Sequence, residues 1–277
     1  MTIKYADNEK NKLKEINSLL KSWKNEVSTS EIKFRNDGTY YSGEDCFSED
    51  GFFPHYFNQK IKVLFIGRED RVCWNIIKGW TEKFKKEDIS DNGFFAVLLY
   101  LLYGINHRFI EYWEIPGATD IARKIGKPGK EGLSFSFMEL SKYGNENNDS
   151  DKCDKKLIEQ FLEHSHLEER KFFKEEFSVL DPDIIITLNL WHINKKISDY
   201  IDRYVFGNLK FTPIKGGKDA NLYCITLNRK KIPVIDMWHF SRRGNIEKLF
   251  YNPLIRLIKS DIFRENFPIQ LKKINPI

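Results

Sequence analysis

Three stretches of the chain follow one pattern, a short unbroken apolar run that ends in polar residues able to do chemistry. They are residues 62–70 (KVLFIGRED), 183–189 (DIIITLN) and 233–243 (PVIDMWHFSRR). Four or five consecutive aliphatic and β-branched residues without polar alternation read as strands buried on both faces, the habit of a parallel sheet flanked by helices. In such open sheets the ligand crevice lies beyond the carboxyl ends of the strands. The pattern therefore puts Glu69, Asp70 and His239 where a site is expected.

Other segments carry the helical period. Leu13, Ile16, Leu19, Leu20, Trp23 and Val27 predict an amphipathic helix over residues 8–27. Residues 29–59 are polar and glycine-bearing and read as an irregular approach to a strand at 61–66. A long loop is expected over 67–91, then a helix capped by Asn92 with Phe94, Phe95, Val97, Leu98, Leu101 and Leu102 as its apolar body. The alternation of residues 133–140 (LSFSFMEL) predicts a second strand, and 145–151 (NENNDSD) a solvated loop. One charged helix is expected over 155–179, stopped by Asp181-Pro182-Asp183, which starts the third strand. A helix over 190–205, strands near 210–214, 222–227 and 232–237, and a closing helix over 246–263 follow. Lys215-Gly216-Gly217-Lys218 lacks the spacing of a phosphate loop and reads as a plain turn. This order predicts an α/β fold, a three-layer α/β/α sandwich around a central, mostly parallel sheet. Residues 1–60 form an N-terminal extension packed on a main domain of residues 61–277.

Composition narrows the classes. The chain has 277 residues, 41% apolar and 31% charged, the proportions of a soluble globule. A net charge of +5 fits a polyanion partner without demanding one. Cys46, Cys73, Cys153 and Cys224 form no C-x-x-C pair, so local metal-site spacing is missing and reduced thiols are expected. The first residues lack the apolar core of a secretion signal, and no apolar run approaches membrane-spanning length. The expectation is a cytoplasmic monomer with no membrane partner, metal or cofactor. No Gly-x-Ser-x-Gly elbow points to a serine hydrolase.

Four landmarks in order across residues 60–260 resemble the uracil-DNA glycosylase superfamily. They are a strand ending in Gly67-Arg68-Glu69-Asp70, an Asn92-Gly93-Phe94-Phe95 helix start, a strand running into Glu139-Leu140-Ser141-Lys142, and a Pro182-Asp183-Ile-Ile-Ile strand preceding a final strand that ends in His239-Phe240-Ser241. The resemblance implies DNA as partner and a base flipped from the stack, then held by stacking and edge hydrogen bonds. It implies that Glu69 or Asp70 positions water or stabilises a developing sugar cation, and that His239 stabilises the departing base. Phe94 and Phe95 would supply a stacking face, Glu139 and Asn189 would contact the base, and Ser241, Arg242 and Arg243 would hold backbone phosphates.

The departures carry chemistry too. Relatives that remove uracil have Pro soon after the first Gly and His-Pro-Ser in the last loop; here Arg68 follows the glycine and Phe240 stands in the proline position. Glu139 stands where relatives read the base with Asn. An ionised carboxylate offers acceptors only and would face uracil O4 with like charge, so discrimination is expected to shift toward bases bearing an amino group. Structural readings stand beside these. Glu69 and Asp70 also suit a helix cap or pairing with Arg68 and Arg71, His239 a hydrogen-bonded strand end, Asn189 a loop, and Arg242 and Arg243 a solvated pair. The leading expectation is a DNA glycosylase-like protein, not strictly uracil-specific, that excises or recognises a damaged or deaminated base. The alternatives are a silent nucleic-acid- or nucleotide-binding protein on the same fold and a small-molecule enzyme.

Overall fold

The three apolar runs lie side by side as adjacent parallel strands in the computed structural model, which describes residues 3–28, 47–70, 74–145, 153–165 and 170–274. The strands are β1 (Gly51–Phe52), β2 (Val63–Glu69), β3 (Ser136–Ser141), β4 (Ile184–Leu188), β5 (Thr212–Lys215), β6 (Ala220–Leu227) and β7 (Lys230–Met237). They form one mixed sheet in the order β1-β3-β2-β4-β7-β6-β5. The four central strands are parallel, and β1, β6 and β5 are antiparallel additions at the edges. Residues 216–219 make the turn that joins β5 to β6.

The period-2 alternation of a strand divides the apolar runs between two cores. Val63 and Phe65 enter one and Leu64 and Ile66 the other, as Ile184 and Ile186 divide from Ile185. The first core is covered by α2 (Ile76–Lys86), α3 (Phe94–Asn106) and α4 (Ala118–Ala122), and by α8 (Asn252–Ile258), α9 (Asp261–Asn266) and α10 (Pro268–Ile274). The second is covered by α1 (Lys10–Ser28), α5 (Lys155–His164), α6 (Phe172–Leu180) and α7 (Lys195–Tyr200). Helices thus lie on both faces of the sheet.

The N-terminal segment is tied into the fold at two points, through Trp23 of α1 and through Glu9 in the turn that precedes it. Trp23 stacks on Phe172 at 5.1 Å between ring centroids, and its indole N–H donates to Ser165. Buried Glu9 accepts the backbone N–H groups of His55 and Phe57 at 2.8 and 3.0 Å, so the segment entering β2 is held by the chain start.

Several expected boundaries move. The interval 67–91 is not a structureless loop. It contains α2, whose N-cap Asn75 accepts from Lys78 N and whose Ile76, Ile77, Trp80 and Phe84 are buried. Asn92 does not cap α3; Gly93 is the N-cap, at φ +99°, a backbone conformation that glycine tolerates. The expected long helix over 155–179 is two helices, α5 and α6. Within 190–205 and 246–263 the regular helix is shorter, with π-helical turns at Ile201–Val205 and Glu247–Tyr251. Cys46, Arg71, Cys73 and most of the 145–151 segment lie outside the described residues. Among the described residues no helix is long and apolar enough to cross a membrane.

Candidate functional site

The central strands β2, β3 and β7 end around a cleft of about 900 Å³, where an open parallel sheet places its ligands. Strand β2 delivers Gly67, Arg68 and Glu69, with Asp70 next along the chain. Glu139 comes from β3, and His239 stands two residues past the end of β7. The parallel register sets Gly67 beside Glu139 and Glu69 beside Ser141.

Glu69 is the most strongly tuned group of the β2 end. Its Oε1 accepts the backbone N–H of Asp154, next to α5, at 2.9 Å. Burial pushes its carboxyl up to about 7, against the pull of the Asp154 N–H and the Arg68 guanidinium. A carboxyl in that range exchanges protons near neutral pH, the property a general acid or base needs. Burial and neighbouring Glu69 also push the Cys153 thiol up to about 12, so it is a thiol and not a thiolate. Asp70 accepts the indole N–H of Trp74.

His239 is fixed by its neighbours. Phe240 is fully buried and packs on Phe65, Phe94 and Phe250, with centroid distances of 6.0, 5.9 and 5.8 Å. An aromatic side chain thus anchors the loop that carries His239. The backbone N–H of Ser241 donates to His239 Nδ1 at 3.3 Å, so the neutral ring carries its proton on Nε2. Burial, and then the positive charge of Arg68, pull His239 down to about 4. It is therefore a neutral hydrogen-bond donor at physiological pH.

One wall is aromatic. Trp80, Phe94 and Phe95 meet edge to face, at 5.1 Å for Trp80–Phe95 and 5.4 Å for Phe94–Phe95, and Phe94 lies 6.2 Å from the His239 ring. Lys83 and Arg243 bring positive charge to the same opening. Opposed charges, an aromatic wall and a neutral imidazole thus share one cavity.

Glu139 is only 6% exposed, and its Oε2 has no hydrogen-bond partner among the described residues. Its backbone N–H donates to Asp50 at 2.9 Å. The nearby Lys142 is fully buried and bonds Asp50, Glu176 (3.0 Å) and the Glu139 carbonyl (3.1 Å), leaving none of its three protons for the Glu139 carboxyl.

The structure gathers Glu69, Asp70, Phe94, Phe95, Glu139, His239, Ser241 and Arg243 around the cleft. Two expected members stand apart. Asn189 is in the left-handed region (φ 60°) and does not line the cavity; its carbonyl accepts from Arg68 at 2.9 Å. Buried Asp236 turns the chain there, accepting from Thr187 Oγ1 at 2.7 Å and Leu190 N at 2.9 Å. Arg242 instead lies over the Trp238 ring at 3.7 Å, while Arg243 lines the opening.

Trp74, Trp80, Lys83, Asn145 and Cys153 also line the cleft, unforeseen from sequence. The signal for Trp80 and Lys83 was present in the Asn75 cap and the apolar period that follows it; for Asn145 and Cys153 there was none. Among the described residues no cluster of three His, Cys, Asp or Glu is placed to hold a metal ion. Comparison with family models, with curated proteins and with solved structures finds no match for this chain.

Proposed function

We propose that this protein is a DNA glycosylase-like protein on a uracil-DNA glycosylase-like fold, recognising a damaged or deaminated base and hydrolysing its N-glycosidic bond. The observation that carries the reading is the pairing, across one cleft, of a neutral His239 protonated on Nε2 with a Glu69 carboxyl that titrates near neutrality. In such a hydrolysis the C1′–N bond breaks and its electron pair leaves with the base. His239 Nε2–H donates a hydrogen bond to the oxygen that gains this charge. Ionised Glu69 stabilises the sugar cation and takes a proton from the water that forms the new C1′–O bond. Each such group contributes on the order of 10²–10⁴ in rate.

The aromatic wall of Trp80, Phe94 and Phe95 suits an extruded base, because every base has a π-face. Lys83 and Arg243 suit the phosphates on either side.

The test is a screen of purified protein against single- and double-stranded oligonucleotides carrying uracil, hypoxanthine, xanthine or alkylated bases, with alkali to reveal abasic sites. Cleavage of a substrate that is lost in Glu69→Gln and in His239→Ala supports the reading. No cleavage, with salt-sensitive binding retained, would make the protein a nucleic-acid-binding module. Absence of both would remove nucleic acid as its partner.

A further inference from the structure

We propose that Trp74 is a stacking platform for the base next to the one held in the cleft, so that the protein engages two adjacent nucleotides of an unpaired strand. The inference rests on the nucleic-acid reading above and adds to it a contact outside the base pocket.

The chain at Trp74 is fixed on both sides. Its carbonyl accepts the backbone N–H of Glu49 at 2.9 Å, and the N–H of Ile76 donates to the Glu49 carbonyl at 3.0 Å. Between them the Asn75 amide donates to the Glu49 carboxylate at 2.8 Å while its oxygen caps α2. A residue just before an N-cap commonly packs on the side chain at the fourth helical position. That position is Gly79, and a Cβ there would lie within 2.8 Å of three atoms of the Trp74 ring, Cζ3, Cε3 and Cη2. The indole therefore occupies the space a side chain on α2 would take, and its N–H is engaged by the Asp70 carboxylate. Glycine weakens a helix; at this position it makes a seat for an aromatic ring.

A buried ring in that seat would only staple the helix. Trp74 is instead 36% exposed and lines the cleft, whereas Trp80 of the inner wall is 5% exposed. The cleft thus has an inner aromatic wall and a second, exposed indole at its rim. A ring already held in one place loses little conformational freedom when a ligand covers it. Stacking on it suits any base, because every base has a π-face.

The inner wall takes one base; its neighbour can stack on Trp74 only where its own face is uncovered, as in an unpaired strand. Lys83 and Arg243 line the same opening and suit the phosphate that links the two nucleotides. The acids beside them are engaged, Asp70 by the indole N–H and Glu69 by the Asp154 N–H.

The test compares affinity for a short mixed-sequence single strand with affinity for the same backbone carrying one base, varied in turn, and abasic analogues elsewhere. Trp74→Ala is expected to weaken binding of the full strand about tenfold, the scale of one stacked base, and to leave the single-base strands unchanged; Trp74→Phe should retain most of the affinity. Gly79→Ala displaces the ring without removing it. It is expected to weaken the full strand while urea unfolding shows no loss of stability, a combination that a merely structural Trp74 would not give. The full strand should also quench indole fluorescence more than the single-base strands do, and Trp74→Phe should remove the difference. Unchanged affinity in Trp74→Ala, or equal losses for full and single-base strands, overturns the platform while nucleic-acid binding stands. Binding of no strand by the wild-type protein overturns the nucleic-acid reading instead, and the platform with it.

Discussion

Gly67 and Glu139 face each other across the β2–β3 register so closely that a single methyl group on Gly67 would stand 2.2 Å from Glu139 Oε2. Neighbouring strands lie about 4.8 Å apart, so a side chain on β3 bends over β2 only where β2 has none. The glycine that closes the apolar run is thus what admits a carboxyl to the floor of the cleft.

Gly67→Ala is expected to fold with a stability loss of about 1–3 kcal/mol, the usual cost of overpacking, and to push the Glu139 carboxyl from its place. Urea unfolding measures the first effect and affinity for base-bearing oligonucleotides the second. Wild-type stability together with wild-type affinity would show that the carboxyl does not depend on this space.

The Glu69 carboxyl makes stability depend on pH with a defined sign. Its folded value, about 7, lies above the unfolded one, so its contribution is fully present below about pH 4 and is lost as pH rises through 7. Glu69→Gln is expected to remove this fall. The difference in pH slope between variant and wild type integrates to roughly 1–3 kcal/mol from pH 4 to 8, allowing for the partial exposure of the group. Urea unfolding across that range measures it. Any glycosylase turnover should rise through about pH 7 as the same carboxyl ionises, with no inflection from His239 above pH 5.

Lys142 holds two buried acids, Asp50 and Glu176, and its ammonium lies 4.9 Å from the Trp23 ring centroid. Burial pulls its own pKa down, but the two acids more than offset this and keep it charged. Lys142→Met leaves both acids buried without a cation and is expected to cost about 3–5 kcal/mol. The further changes Asp50→Asn and Glu176→Gln should restore much of it, because neutral amides need no counter-charge. Chemical unfolding of the single and triple variants gives the answer.

Arg243 and Arg242 are neighbours in sequence and differ in placement. Arg243 lines the cleft opening, and Arg242 lies over Trp238. If nucleic acid binds at the cleft, Arg243→Ala should lower the slope of log affinity against log salt by about one, and Arg242→Ala should leave it close to wild type. Titrations at several salt concentrations distinguish the two.

Much of this architecture was legible in the chain. Unbroken apolar runs at residues 63–66, 184–186 and 232–235 read as strands covered on both faces, and strands of that kind are the habit of a parallel sheet. The polar residues that close those runs, Glu69, Asp70 and His239, reach one cleft because parallel strands all end on the same side. What pattern could not supply was orientation. Asn189 leaves the cleft because Asp236 captures the backbone just past β4, a contact across 46 residues of sequence. Nor could sequence supply the protonation of Glu139. A glutamate is written in the chain as an acid, and the form it takes is set by burial, by the carboxylates of Asp50, Glu69 and Asp70, and by a lysine whose protons are spent elsewhere. Local composition determined the strands and their polar ends, because periodicity is a property of neighbours in sequence. The tertiary structure alone decided the charge state and the membership of the site, because electrostatics depends on distance in space.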